Sequence, residues 1–186
     1  LTAALLLPGA ALAQREGVNV GANSGFASLV PAKEIELSAA KQYKTLLAEA
    51  ASKNALAPPE HPQLQRLRRI ADQLIPFANE WNPRAKSWQW EVNLIGSKQI
   101  NAFCMPGGKI VFYTGIIEQL KLTDDEVAQI MGHEIAHALR EHARERMGKS
   151  TATSIGAGVV SQLLGLGDLG RTVTNYGGAA TFTLCS

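Results

Sequence analysis

Two histidines and a glutamate carry the chemistry of this sequence, in the run His133-Glu134-Ile135-Ala136-His137. On a helix, imidazoles four positions apart share a face, about 40° apart and roughly 6 Å along the axis, so one divalent ion can touch both. Glu134 projects beside them. A carboxylate there need not ligate, because it is placed to take a proton from a water that attacks a substrate. The pattern points to a zinc-dependent hydrolase in which His133 and His137 bind Zn2+ and Glu134 is the catalytic base. Of the other two histidines, His142 lies five positions past His137. On an unbroken helix that turns it well off the ligand face, so a structural or ligand-supporting place is expected. His61 stands before a proline and reads as a polar residue at a helix start.

The elements that must hold these residues can be read outward from the motif. Thr123-Asp124-Asp125-Glu126 is a capping box, whose hydroxyl and carboxylate satisfy the first free amides of a helix beginning at Asp124. Val127, Met131, Ile135, Ala138 and Leu139 recur at helical spacing as its core face, with Ile130, His133 and His137 as an adjoining stripe. Arg140, Arg144, Arg146 and Lys149 crowd what reads as the last turns, and Gly148 is the expected C-cap.

Upstream, Pro31 to Lys53 is predicted helical, and Pro62 to Ile75 forms a second amphipathic helix ended by Pro76. Trp88, Trp90, Val92 and Leu94 alternate with polar residues, a period of two that predicts a half-buried strand. Ile100 to Met105 and Lys109 to Thr114 are apolar runs joined by Pro106-Gly107-Gly108, a hairpin signal. Gly115 to Leu120 is a short helical link into the capped helix. Helices, three strands and then the motif helix predict an α+β fold with a small antiparallel or mixed sheet packed on helices.

Composition bounds the partners. The chain has 186 residues, 46% of them hydrophobic and 18% charged, an ordinary length for one domain. A net charge of +2 does not argue for nucleic acid, and Arg66, Arg68 and Arg69 are the solvated face of a helix whose apolar face is Leu64, Leu67, Ile70, Ala71 and Leu74. Leu1 to Ala13 reads as the end of a secretory signal, with Ala11-Leu12-Ala13 as the cleavage site before Gln14. An exported, in a bacterium periplasmic, protein is expected, with a flexible leader over residues 14–30. Ser150 to Leu166 is rich in small residues, but no run reaches the ~20 apolar residues of a span, so a packed helix is expected. Cys104 and Cys185 could form one disulfide; the expectation is that they do not, and that Cys104 is a small buried hydrophobe.

Three ordered segments carry a family resemblance: Asn101-Ala102-Phe103-Cys104-Met105-Pro106-Gly107-Gly108-Lys109-Ile110, then Thr114-Gly115-Ile116-Ile117, then Asp125-Glu126-Val127-Ala128 leading into the motif. On these the chain, from about Pro31 to about Gly178, resembles the HtpX-like and CAAX-prenyl-protease-like zinc metallopeptidases, in particular their exported bacterial branch. The resemblance implies a zincin-like (gluzincin) fold with one zinc per chain. It also implies that the strand Asn101 to Met105 is the edge facing the cleft, where Asn101, Ala102 and Phe103 meet an extended substrate through backbone hydrogen bonds. That suits an endopeptidase of unfolded or damaged exported proteins. The other reading is a non-catalytic peptide-binding or chaperone-like protein that keeps the cleft.

The family's third ligand is a glutamate within a Glu-x-x-x-Asp pattern on a later helix. The carboxylates after His137 are Glu141, Glu145 and Asp168, and none stands in such a pattern. Glu141 and Glu145 are expected on the same helix as the histidines, moving away along its axis. The expectation is therefore a metallopeptidase domain over 31–186 that is incomplete at its C-terminus, with the third ligand beyond Ser186 and no activity without it.

Overall fold

The computed structural model describes residues 24–163. The expected signal remnant, Asp168 and Cys185 lie outside them. The described residues form five α-helices and three strands: α1 (Ala32–Ser52), α2 (Pro62–Trp81), β1 (Glu91–Ile95), β2 (Ala102–Met105), β3 (Lys109–Tyr113), α3 (Thr114–Leu120), α4 (Asp124–Leu139) and α5 (His142–Leu163).

The sheet has the order β1-β3-β2, with β3 central, β1 parallel to it and β2 antiparallel. This is the mixed sheet of an α+β fold, as expected. Side chains alternate across it. Val92, Leu94, Ala102, Ile110 and Phe112 join the main core with Leu64, Leu67 and Ile70 of α2 and Val127, Met131 and Ile135 of α4. On the other face Ile95, Met105 and Val111 meet Ala39, Tyr43 and Ala50 of α1. The sheet is thus a middle layer, with α1 on one side and α2 and α4 on the other.

The hairpin forms where the glycines allow it. Gly108 N donates to Met105 O at 3.2 Å, closing a turn with Pro106 and Gly107 at its centre. Gly107 and Gly108 have φ of +85° and +78°, which a side chain would strain. A Cβ on Gly108 would also lie 2.7 Å from the Trp90 ring, so two separate constraints demand glycine there. The predicted strand from Trp88 to Leu94 is shorter in the structure: only Glu91–Ile95 pairs with β3, and Trp88 and Trp90 precede it. Their indoles are held instead by Glu36 Oε1 at 2.8 Å and Ala85 O at 3.3 Å.

Other boundaries differ for physical reasons. Pro76 does not end α2, which continues to Trp81. The carbonyl that Pro76 leaves without a partner belongs to Asp72 on the exposed side, while Ala78 beyond it is buried, so packing outweighs the lost bond. Pro31 is the N-cap of α1 and not its first helical residue. His61 caps α2 as expected, its Nδ1 accepting from Gln63 N at 3.2 Å.

The largest correction concerns the motif helix. It starts at Asp124 under the expected capping box, but it ends at Leu139, and Glu141 takes a left-handed φ of +56° before α5 begins at His142. Gly148 is therefore inside α5 and not a C-cap. Its role is close approach: a Cβ there would sit 1.9 Å from Phe26 O. The packed segment is a short 3-10 turn, Gly25–Leu29, with Ala27 buried. Of the leader expected over 14–30, residues 24–30 thus fold against α5, and Arg144 Nε donates to Val30 O at 2.9 Å to hold them.

From this contact follows that Gly148→Ala must push the 3-10 turn off α5, a steric cost of about 1–3 kcal/mol. Thermal unfolding should move down accordingly, and limited proteolysis should now cut within residues 24–30. A variant with unchanged melting and cleavage would contradict the packing.

Candidate metal centre

The site is set by which face of α4 the core takes. Val127 and Met131 are fully buried and Ile135, Ala138 and Leu139 nearly so. With that face fixed inward, His133 is exposed and Glu134 and His137 are half-buried at the border. All three motif residues therefore stand at one place, beside β2, against which α4 packs.

The two imidazoles converge through the same ring atom. His133 Nε2 and His137 Nε2 are 2.9 Å apart, with the rings edge to face at 87° and centroids 4.4 Å apart. Two nitrogens bound tetrahedrally to one zinc at its usual bond length are about 3.3 Å apart. The pair need only open by a few tenths of an ångström to hold an ion, so its donor set fits zinc. Among the described residues, no third His, Cys, Asp or Glu completes a group that could hold a metal.

Glu141 and Glu145 do not share the motif helix, contrary to expectation, because the chain breaks between them and the histidines. Their carboxylates are engaged elsewhere. Glu141 pairs with Arg144 Nη1 at 2.5 Å and Arg84 Nε at 4.0 Å, and Glu145 with Lys149 Nζ at 2.6 Å.

The break also relocates His142. It is brought back to the motif, with its Nδ1 2.6 Å from His137 Nδ1 and the ring centroids 4.8 Å apart. It meets the side of His137 opposite the Nε2 pair, so it does not share an ion with them. Burial lowers the pKa of both His137 and His142, with neighbouring histidine or arginine charge adding to it, and the neutral imidazoles this favours are the metal-binding form.

Burial acts in the opposite sense on Glu134, raising its carboxyl above the usual range while the nearby His133 pulls it back. A raised carboxyl is the direction a general base near neutral pH needs. Cys104 on β2 lies close enough for the Glu134 charge to act on it. Burial first, and that charge second, push its thiol well up, so it is a neutral SH and no nucleophile at ordinary pH.

The strand edge is more selective than its sequence suggested. Tyr113 N donates to Asn101 O at 3.1 Å, making this a hydrogen-bonded pair of the antiparallel ladder. In the register Ala102↔Phe112, Phe103↔Val111, Cys104↔Ile110, bonded pairs alternate, so the Asn101 carbonyl and the backbone groups of Phe103 are turned to β3. Those of Ala102 and Cys104 point out from the sheet. Of the three expected edge residues, only Ala102 has backbone groups that pair with no strand among the described residues, and Cys104 shares that position. Alternation was readable from the sequence; its phase was not.

Comparisons with known proteins agree with this geometry. The family model described as peptidase family M48 matches residues 61–185. Metalloprotease LoiP of Escherichia coli is 30% identical over 147 residues, 72% of this chain and 55% of LoiP. Mitochondrial metalloendopeptidase OMA1 of Schizosaccharomyces pombe is 27% identical over 136 residues, 73% of this chain and 38% of that protein. The Arabidopsis thaliana protein of the same name is 44% identical over 61 residues, 33% of this chain and 12% of its own. The chain thus spans from about an eighth to just over half of the length of these relatives. The small mixed sheet, the capped motif helix and the family match across about two thirds of the sequence agree on one conclusion: the chain belongs to peptidase family M48.

Proposed function

We propose that the protein is a zinc-dependent metalloendopeptidase that cleaves unfolded or damaged exported polypeptides. The observation that carries this reading is the convergence of His133 Nε2 and His137 Nε2, with Glu134 half-buried beside them on the same helix. His133 and His137 hold the zinc. When bound, the metal lowers the pKa of water and polarises the scissile carbonyl. Glu134 takes the proton of the attacking water on a carboxylate oxygen and returns it to the leaving amine.

Substrate recognition is assigned to the free edge of β2. An extended peptide laid beside it gains backbone hydrogen bonds from Ala102 and Cys104, which read no particular side chain. That suits substrates defined by being unfolded. Asn101 and Phe103 support the edge through their pairing with β3. The third metal ligand is, on the resemblance, a glutamate of a later helix.

For location, the run Leu1 to Leu7 followed by Ala11-Leu12-Ala13 supports export and a periplasmic place. No helix among the described residues is long and apolar enough to cross a membrane.

Glu134→Gln tests the base. In the whole protein, third ligand included, peptide hydrolysis should fall by about 10²–10⁴-fold, with zinc content near that of the unmodified protein. Zinc lost together with activity would make Glu134 a ligand instead. Whole protein that binds peptide and zinc through a complete ligand set but never cleaves would favour the non-catalytic reading.

Two prolines test the edge. Ala102→Pro removes an outward N–H and should lower kcat/KM roughly tenfold, the worth of one hydrogen bond, with zinc and fold retained. Phe103→Pro removes a bond to β3 and should cost stability first. Equal casein cleavage by a folded Ala102→Pro variant would sink the assignment. Export predicts a mature N-terminus at Gln14, read by mass spectrometry of protein from the periplasmic fraction; a chain still carrying residues 1–13 in that fraction would refute the cleavage site.

A further inference from the structure

A neutral imidazole carries one N–H, and the nitrogen that lacks it is the one that can bind a metal. In His137 both ring nitrogens are engaged: Nε2 is 2.9 Å from His133 Nε2, and Nδ1 is 2.6 Å from His142 Nδ1. Two proton arrangements satisfy these contacts. Either His133 donates to His137 and His137 to His142, or both bonds run the other way. A cation at the Nε2 pair displaces the proton between them and needs both as lone pairs; His133 then carries its proton on Nδ1, and for His137 only the first arrangement survives, with Nε2 a lone pair and the proton on Nδ1.

We propose that His142 is a positioning residue of the metal centre, whose Nδ1 accepts the proton of His137 Nδ1 and so fixes His137 in its metal-binding tautomer and ring orientation. The inference rests on the zinc reading above. Ligating histidines elsewhere give this N–H to a carboxylate, a carbonyl or water; here the acceptor is a third histidine.

The chain is shaped to deliver it. Five positions along a continuous helix would carry His142 about 140° around the axis from His137. The left-handed residue Glu141 reverses that turn. It has no glycine's freedom, and the surroundings hold it: Arg144 Nη1 binds Glu141 Oε2 at 2.5 Å, and Arg84 Nε lies 4.0 Å from Oε1. Buried Asn82 donates through Nδ2 to Leu139 O at 2.9 Å, taking one of the carbonyls freed where α4 stops. An α2–β1 connection and the start of α5 therefore clamp one break, and its product is the His137–His142 contact.

The test compares His142→Leu with His142→Asn in the whole protein, measuring zinc Kd by competition with a chelator. Leucine removes the acceptor and should weaken zinc by about 10–100-fold. Asparagine places Oδ1 near the position of Nδ1 and should restore affinity to within a few-fold. In ¹⁵N-labelled unmodified protein, a coupling across the N–H···N bond should connect His137 Nδ1 with His142 Nδ1 and vanish in both variants, a signal that a purely structural role would not create. If His142→Leu, folded by circular dichroism, binds zinc within twofold of the unmodified protein, or if asparagine is as weak as leucine, the inference is wrong while the zinc reading stands. Unmodified protein that takes up no zinc overturns both.

Discussion

The rotation of α4 about its own axis is the constraint on which the site depends. Val127, Met131, Ile135, Ala138 and Leu139 are packed against α2 and the sheet, and each fully buried side chain of this kind contributes about 1.5–3 kcal/mol. Turning the helix by one residue, about 100°, would expose that set and drive the histidine stripe inward. The apolar face thus locks the direction of His133, Glu134 and His137 without touching their polar atoms. The capping box at Thr123 fixes where the helix begins, so rotation and register are both determined.

Where α4 stops matters as much as how it is turned. A helix continued through Arg140 would carry His142 about 140° around the axis from His137, onto the line of Ile135 and Ala138 and away from the motif histidines. The break at Glu141 folds α5 back, giving His137 a partner for its second ring nitrogen and giving the 3-10 turn before α1 a surface to pack on. Gly148 is what lets that turn approach. One local reversal therefore couples the candidate metal centre, α5 and the segment preceding the first helix.

The sheet supplies the remaining part through the accounting of backbone groups. With β3 central, β2 has one paired side and one side that no strand among the described residues covers, and alternation decides which residues face each. Ala102 and Cys104 keep their backbone groups outward while their side chains pack into the core under α2 and α4. An edge of this kind can be read by another chain without losing its own support, since the bonds that hold β2 in place belong to its neighbours.

The sequence by itself determined what local pattern and short-range chemistry control. The capping box, the period-3.6 core face, the glycine turn of the hairpin and the one-face spacing of His133 and His137 each lie within a few residues, and the structure keeps them all. Tertiary structure decided what depends on distant partners. Pro76 stays helical because Ala78 beyond it is buried, and Glu141 turns left-handed among Arg84, Arg144 and the Asn82 amide, with no glycine or proline to announce the break. The contact of His142 with His137 follows from those long-range contacts, and the phase of the β2 ladder from its pairing with β3. Spacing along a chain fixes angles only while the helix continues, and whether it continues is settled by the groups that receive its last carbonyls.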